Sequence, residues 1–224
     1  MNPAHEQRIV LVDRADRAIG VGEKMQVHRE GRLHRAFSVF VFDRRGRLLL
    51  QRRAQSKYHS AGLWSNTCCG HPRSGERVIE SGQRRLKEEM GFSCKLRWVA
   101  ALRYRADVGN GLIENEYDHI LFGRYDADPD PDASEVLEWD WRRHDALRKD
   151  VRRDPDAYSA WFKFLVPPDA MTLPDRGPRA QPQRVIGAIA ERAREATRRA
   201  PWVAPLASSR GPTADGAPTP ATAV

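Results

Sequence analysis

The sequence predicts an α/β (α+β) domain, and three observations carry that expectation. Apolar runs rich in β-branched and aromatic residues recur between positions 9 and 141, separated by charged and glycine-containing turns. One of them, HRAFSVFVFD at 34–43, is apolar at odd and even positions alike, the pattern of a strand buried on both faces. A single long amphipathic segment, at 74–92, interrupts the runs with apolar residues at helical spacing.

Taken in order, residues 9–13 (IVLVD) form a first strand closed by a charged turn. The segment EKMQVH at 23–28 leads into a polar turn through Gly31. The doubly buried strand follows, then a hairpin turn containing Gly46, with LLLQR at 48–52 as the return strand. A polar loop occupies 53–62, and Leu63-Trp64 opens into the amphipathic segment's approach, NTCCGHPR. Ser74-Gly75-Glu76 is a helix-start signal, a small polar cap followed by an acid in the first turn. Ile79, Leu86 and Met90 give that helix its apolar face, and Gly91 ends it by tolerating the left-handed conformation. Arg84 and Arg85 each stand four residues before an acid, Glu88 and Glu89, pairs worth about a few tenths of a kcal/mol on a solvated face.

Strands are expected at 96–105, 113–125 and 136–141, the first two joined by the turn Val108-Gly109-Asn110-Gly111. A short helix at 145–150 and a longer one at 156–165 (DAYSAWFKFL) complete the domain, which Pro167-Pro168 closes. Beyond that point residues 171–182 read as a Pro/Arg-rich linker, and 184–199 as a basic amphipathic helix. After Leu206 large apolar residues are missing, the composition of a disordered tail. The expected division is a domain at 1–168 and a basic, Pro/Ala-rich extension at 169–224, partly disordered.

The 224 residues carry a net charge of +8, enough chain for one real core and enough charge to favour anionic partners. No zinc-finger spacing, helix-turn-helix pattern or RNA-binding signature is visible, so nucleic acid is not an expected partner. Cys68, Cys69 and Cys94 are odd in number and two are adjacent, which argues against a disulfide framework. The start lacks a charged-then-apolar secretory pattern, and no apolar run approaches membrane-spanning length. A reducing, cytoplasmic setting is expected, in which a cysteine remains a thiol. Oligomeric state stays open, a monomer being compatible.

Residues that carry chemistry cluster near the turns. His28, His34 and His71 stand beside glycines or strand ends, and Glu114-Asn115-Glu116 puts two carboxylates on one face of a strand. Two adjacent carboxylates repel unless a cation or a shared proton lies between them. Three imidazoles and two carboxylates suit a six-coordinate divalent ion such as Mn²⁺ better than a tetrahedral structural zinc. Taken singly, each histidine is more often a hydrogen-bonded residue than a ligand, and the two glutamates could be a solvated strand face.

The helix adds a second pattern. Gly70, Glu76, Arg84, Glu88, Glu89, Gly91 and Phe92 resemble the Nudix box, with Arg85 standing where a Nudix hydrolase has a glutamate. A guanidinium cannot ligate a metal or accept a proton from water, but it can clamp a phosphate. KMQVH, LHRAFSVF, RRAQSK, LWSNTCCGHP, the altered box, RYRA and ENEYDH follow in that order. Together they resemble type I isopentenyl-diphosphate Delta-isomerase over residues 9–166. The gap between His28 and His34 is slightly shorter than in some members and falls in the turn around Gly31.

The resemblance implies a mixed central sheet sandwiched between helices, and conversion of isopentenyl to dimethylallyl diphosphate. It implies that His28, His34, His71, Glu114 and Glu116 bind one divalent ion, Mn²⁺ or similar. Glu89 and the backbone carbonyl of Cys69 would help hold a Mg²⁺ shared with the substrate diphosphate. Lys24, Arg53, Lys57 and Arg85 would contact that diphosphate. Cys69 and Glu116 would be the catalytic pair, with Tyr104 beside Glu116 and Trp161 facing the hydrocarbon end. No organic cofactor is expected. Shifting the double bond needs a proton added to the terminal methylene and another removed from the neighbouring CH₂; a Cys69 thiolate could take the second, and Tyr104 could relay at Glu116.

Simpler readings stand beside these. Cys68 should turn into the core, opposite to Cys69, and Cys94 should be structural. Tyr104 could be an ordinary strand aromatic, and Trp161, among Tyr158, Phe162 and Phe164, a packing residue. His59, His119 and His144 have no motif support and are not expected in the site. The alternatives for the whole chain are a Nudix pyrophosphohydrolase, which Arg85 and Cys69 argue against, and a non-catalytic phosphate- or nucleic-acid-binding module.

Overall fold

A computed structural model describes residues 8–166. The expected boundary at 168, the linker, the basic helix at 184–199 and the tail lie outside the described residues. Among the described residues, nine strands form one curled, mixed sheet: β1 (Arg8–Val12), β2 (Ala18–Glu23), β3 (His34–Phe42), β4 (Leu48–Arg53), β5 (Trp64–Ser65), β6 (Cys68–Gly70), β7 (Arg97–Asp107), β8 (Ile113–Arg124) and β9 (Val136–Arg142). The helices are α1 (Lys24–Glu30), α2 (Val78–Met90), α3 (His144–Arg153) and α4 (Ala160–Leu165).

The doubly apolar strand is the hub. β3 runs parallel to β8 over its whole length, from His34↔Glu116 to Phe42↔Arg124, and antiparallel to β6, with Ser38 opposite Cys69. Its two faces feed two apolar clusters. Phe37, Val39 and Val41 meet Leu86 and Met90 of α2. Phe40 and Phe42 meet Leu147 and Val151 of α3 and Trp161, Phe162 and Leu165 of α4. The sheet is therefore sandwiched between helices, because alternation sends successive apolar side chains to opposite layers.

Local structure departs from the sequence expectation at four places. Residues 18–23 are an exposed strand, β2, whose short Ile19/Val21 alternation between glycines stays in the open rather than in the core. EKMQVH belongs to a helix: the Glu23 carboxylate accepts from the backbone N–H of Met25 (2.9 Å) and Gln26 (2.7 Å), and Gly31 closes α1 in the left-handed conformation at φ 60°.

The long helix begins at Val78 rather than near Glu76, without a side-chain cap, because Glu76 turns to Arg84 instead. Ile79 does not join the apolar face and is 37% exposed. At that end the helix approaches the sheet through Ser81 and Gly82, and a Cβ on Gly82 would meet Leu121 at 2.6 Å, so small residues rather than Ile79 make the contact. Lastly, the helix expected at 156–165 shrinks to α4. Ser159 N–H donates to Trp64 carbonyl (2.9 Å), and Tyr158 bridges Trp64, which holds this stretch extended.

Candidate active site

α1 carries His28 inward. The imidazole is fully buried, and its Nδ1 contacts the Lys24 carbonyl at 2.6 Å, one helical turn back. His34, at the start of β3, uses its Nδ1 in the same way on the Arg32 carbonyl at 2.9 Å. A carbonyl only accepts, so Nδ1 carries the proton in both rings and the Nε2 lone pairs face inward. They face Glu114 of β8: Oε2 lies 3.1 Å from His28 Nε2 and 3.6 Å from His34 Nε2. With His71, the ligand atoms of these residues all fall within 4.8 Å of one another.

His28 Nε2, His34 Nε2 and Glu114 Oε2 are buried and have no hydrogen bond among the described residues. Lone pairs turned on one another in a buried space repel unless a cation lies between them, so this donor set fits a divalent metal ion. Glu116, the expected fifth member, is adjacent. Its Oε1 is 3.1 Å from His71 Nε2 and 3.6 Å from His34 Nε2.

Electrostatics follow from this crowding. Burial would raise Glu114, but contacts with His28, His34 and His59 hold it well below the usual carboxylate range. Glu116 is also lowered, since His34 and His71 outweigh burial and the Glu114 charge. Burial opposes a charge on His34, yet its two carboxylate neighbours lift it to about 9, so without a metal a proton on Nε2 takes the place of the lone pair that a cation would meet. Burial wins at His71, which falls to about 4.

The other oxygen of Glu116 accepts from the Tyr104 hydroxyl at 2.5 Å, and the two residues are direct cross-strand partners on β7 and β8. Alternation along β6 separates the paired cysteines. Cys68 is fully buried on the α2 side, whereas Cys69 lines the cavity. Burial pushes the Cys69 thiol up to about 12, with Arg53 opposing and Glu89, Glu116 and Asp118 reinforcing. A metal-free Cys69 is therefore a neutral thiol, where the sequence reading had allowed a thiolate. Asp118, next in the row after Glu114 and Glu116, is buried, accepts from Ser38 Oγ at 2.9 Å and is raised by burial.

All four expected cations, Lys24, Arg53, Lys57 and Arg85, line the same cavity of about 190 Å³. They crowd one another: burial lowers Lys24, the Glu114 charge opposes this, and Arg85, Lys57 and Arg53 lower it further. Carboxylates occupy part of this charge. Arg85 binds Glu89 (2.6 Å), Glu88 (2.9 Å) and Glu135 (3.2 Å), and Lys57 pairs with Glu135. Glu89 is buried and takes a further hydrogen bond from Gln51 at 3.0 Å. Trp161 forms a wall of the cavity: its indole N–H donates to Asn66 Oδ1 (3.1 Å), and the Arg53 guanidinium lies 5.2 Å from its ring centre.

Sequence reasoning missed Tyr58, His59, Gln51 and Glu135. Tyr58 and His59 are in the cavity wall, with Lys24 Nζ 4.8 Å above the Tyr58 ring. Two adjacent aromatic rings in an otherwise polar loop were the available signal. His119 and His144 stay outside the cavity, as expected; His119 instead contacts Asp16 at 3.0 Å.

Comparison with known proteins completes the assignment. Residues 32–162 match the NUDIX domain family. The chain is 55% identical to the isopentenyl-diphosphate Delta-isomerase of Burkholderia multivorans over 161 residues, covering 72% of this chain and 92% of that protein. It is 53% identical to isopentenyl-diphosphate Delta-isomerase 1 of Aromatoleum aromaticum, over 72% and 91% of the two chains. A crystal structure of a Deinococcus radiodurans protein shares the fold at a TM-score of 0.55 and 20% identity, over 65% of this chain and 89% of that one. At this identity and coverage, the chain belongs to the isopentenyl-diphosphate Delta-isomerase family of NUDIX-domain proteins.

Proposed function

We propose that the chain converts isopentenyl diphosphate to dimethylallyl diphosphate, as the names of its relatives suggest. The observation that carries this is a convergence: Cys69 and the Tyr104–Glu116 pair share one cavity with four cations and a buried His/Glu cluster. A hydrolase would need a base for water in the helix, and Arg85 stands there instead.

In this reading Lys24, Arg53, Lys57 and Arg85 bind the diphosphate, and Trp161 covers the hydrocarbon end. Cys69 and Glu116 divide the two proton transfers between them: one proton is added to the terminal methylene, one is removed from the adjacent CH₂, and the double bond moves with no net change in composition. Tyr104 holds Glu116 and can pass its proton on. The intermediate is a tertiary carbocation, which water would trap, so the cavity must exclude water while Trp161 offers a π face worth about 0.5–2 kcal/mol.

His28, His34, His71, Glu114 and Glu116 are suited to a Mn²⁺-like ion, and Glu89 with the Cys69 carbonyl to Mg²⁺. When bound, these ions would supply positive charge beside Glu116 and on the diphosphate. The reacting thiol needs a reducing compartment, which fits the cytoplasm. The test is incubation of the full chain with isopentenyl diphosphate and Mg²⁺ or Mn²⁺, with dimethylallyl diphosphate as readout. Absence of product from metal-loaded protein would reject the reading.

A further inference from the structure

We infer that His59 is a positioning residue of this site, orienting Glu114 and the Trp161 ring at once; the inference rests on the metal-dependent isomerase reading above. His59 is 5% exposed and sits in the loop between β4 and β5. Its Nε2 lies 3.1 Å from Glu114 Oε1. The two oxygens of Glu114 therefore have separate partners: Oε2 faces His28 and His34, and Oε1 is held from behind by His59. A carboxylate with one oxygen tied in this way cannot swing its plane, so the oxygen offered to a metal stays in place.

The rest of the ring is equally occupied. Ser60 Oγ is 3.2 Å from Nδ1, and its hydroxyl can donate there, which leaves the proton on Nε2 for Glu114. The ring meets Trp161 edge-on, with centroids 5.6 Å apart at 87°. Asn66 holds the indole N–H, so Trp161 is fixed from two directions. The loop is itself anchored to the cation set, since Arg53 Nη2 donates to the His59 carbonyl at 3.2 Å. His59 thus links the metal cluster, the hydrocarbon wall and one diphosphate-binding arginine. It is not in the group of residues whose ligand atoms converge, His28, His34, His71 and Glu114, which separates positioning from ligation.

The experiment uses the full chain, stripped of metal, in wild-type, His59→Ala and His59→Gln forms. Mn²⁺ affinity is measured by competition with a chelating indicator, without substrate, beside kcat and KM for isopentenyl diphosphate. The expected result for His59→Ala is Mn²⁺ binding weakened roughly 10- to 100-fold, the usual range for loss of a partner behind a ligand. Its kcat should fall while KM changes little, because no diphosphate contact is removed. His59→Gln, which keeps an N–H for Glu114 but loses the aromatic edge, should recover most of the affinity and only part of kcat.

Affinity unchanged in His59→Ala overturns the inference. So does His59→Gln binding as weakly as His59→Ala while metal-free melting temperatures agree, since the ring would then be a ligand itself. A wild-type chain that takes up no Mn²⁺ overturns it too. A wild-type chain that binds Mn²⁺ but makes no product rejects the isomerase reading and leaves the affinity comparison to judge His59's hold on Glu114.

Discussion

Cys68 and Cys69 are adjacent in sequence and face different layers of the fold, and that difference is testable. Cys69→Ala should abolish turnover, whereas Cys68→Ala should keep most of it and lose stability instead, because its thiol is packed among Leu86, Met90 and Phe37. Product formation and a urea midpoint measured on both variants check the pair; equal loss of activity would refute the assignment of faces. Tyr104 offers a second test at this scale. Among the described residues its hydroxyl donates to Glu116. Tyr104→Phe should keep the packing and reduce kcat on the order of 10²-fold, the low end for a group that handles a proton in the transition state. A kcat within experimental error of wild type would reduce Tyr104 to the strand aromatic that sequence alone allowed.

The box helix α2 shows how an element differs from its pattern. Leu86 and Met90 are wholly buried, and Leu86→Ala should cost about 2–5 kcal/mol in denaturant unfolding. Ile79→Ala, in the same apparent stripe, should stay within about 0.5 kcal/mol because the side chain is exposed. Glu76 illustrates a charge whose role lies in the fold. Arg84 grips both its oxygens, at 2.8 and 2.9 Å. Burial would raise its pKa, but Arg84 and the Arg73 N–H hold it below 4.5. A depressed carboxylate stabilises the fold above its unfolded pKa and loses that contribution as pH falls through the folded value. Glu76→Gln should therefore lower stability at neutral pH, and the gap to wild type should close on acidification below 4.5, read as urea midpoints across the pH series.

At the scale of the molecule, the described residues build an apolar layer on each face of β3, with Leu165 and Val166 contributing to the one beside α3 and α4. On its basic, Pro/Ala-rich composition, the extension at 169–224 is proposed to be separate from catalysis. A chain ending at Pro168 should fold with the same melting temperature and keep its turnover; loss of either would give the extension a structural role. No helix among the described residues is long and apolar enough to cross a membrane.

How much of this was legible before the fold was known depends on how local the signal was. β3, the hairpin at Gly46 and the stop at Gly91 follow from residues next to one another, so sequence periodicity and backbone chemistry were sufficient. Glu114-Asn115-Glu116 was readable for the same reason, since alternation alone puts both carboxylates on one face. The end of the box helix was legible; its start was not, because Glu76 preferred Arg84 over capping. His59 was invisible because its partners, Glu114 and Trp161, lie far along the chain and reach it only when β8 and α4 close over the loop. The linear order of residues determined the family, the alternating faces and the inventory of acids, bases and cations. Tertiary structure decided which of them share a cavity and which oxygen of each carboxylate meets which partner, since contact and desolvation exist only once distant segments exclude water together.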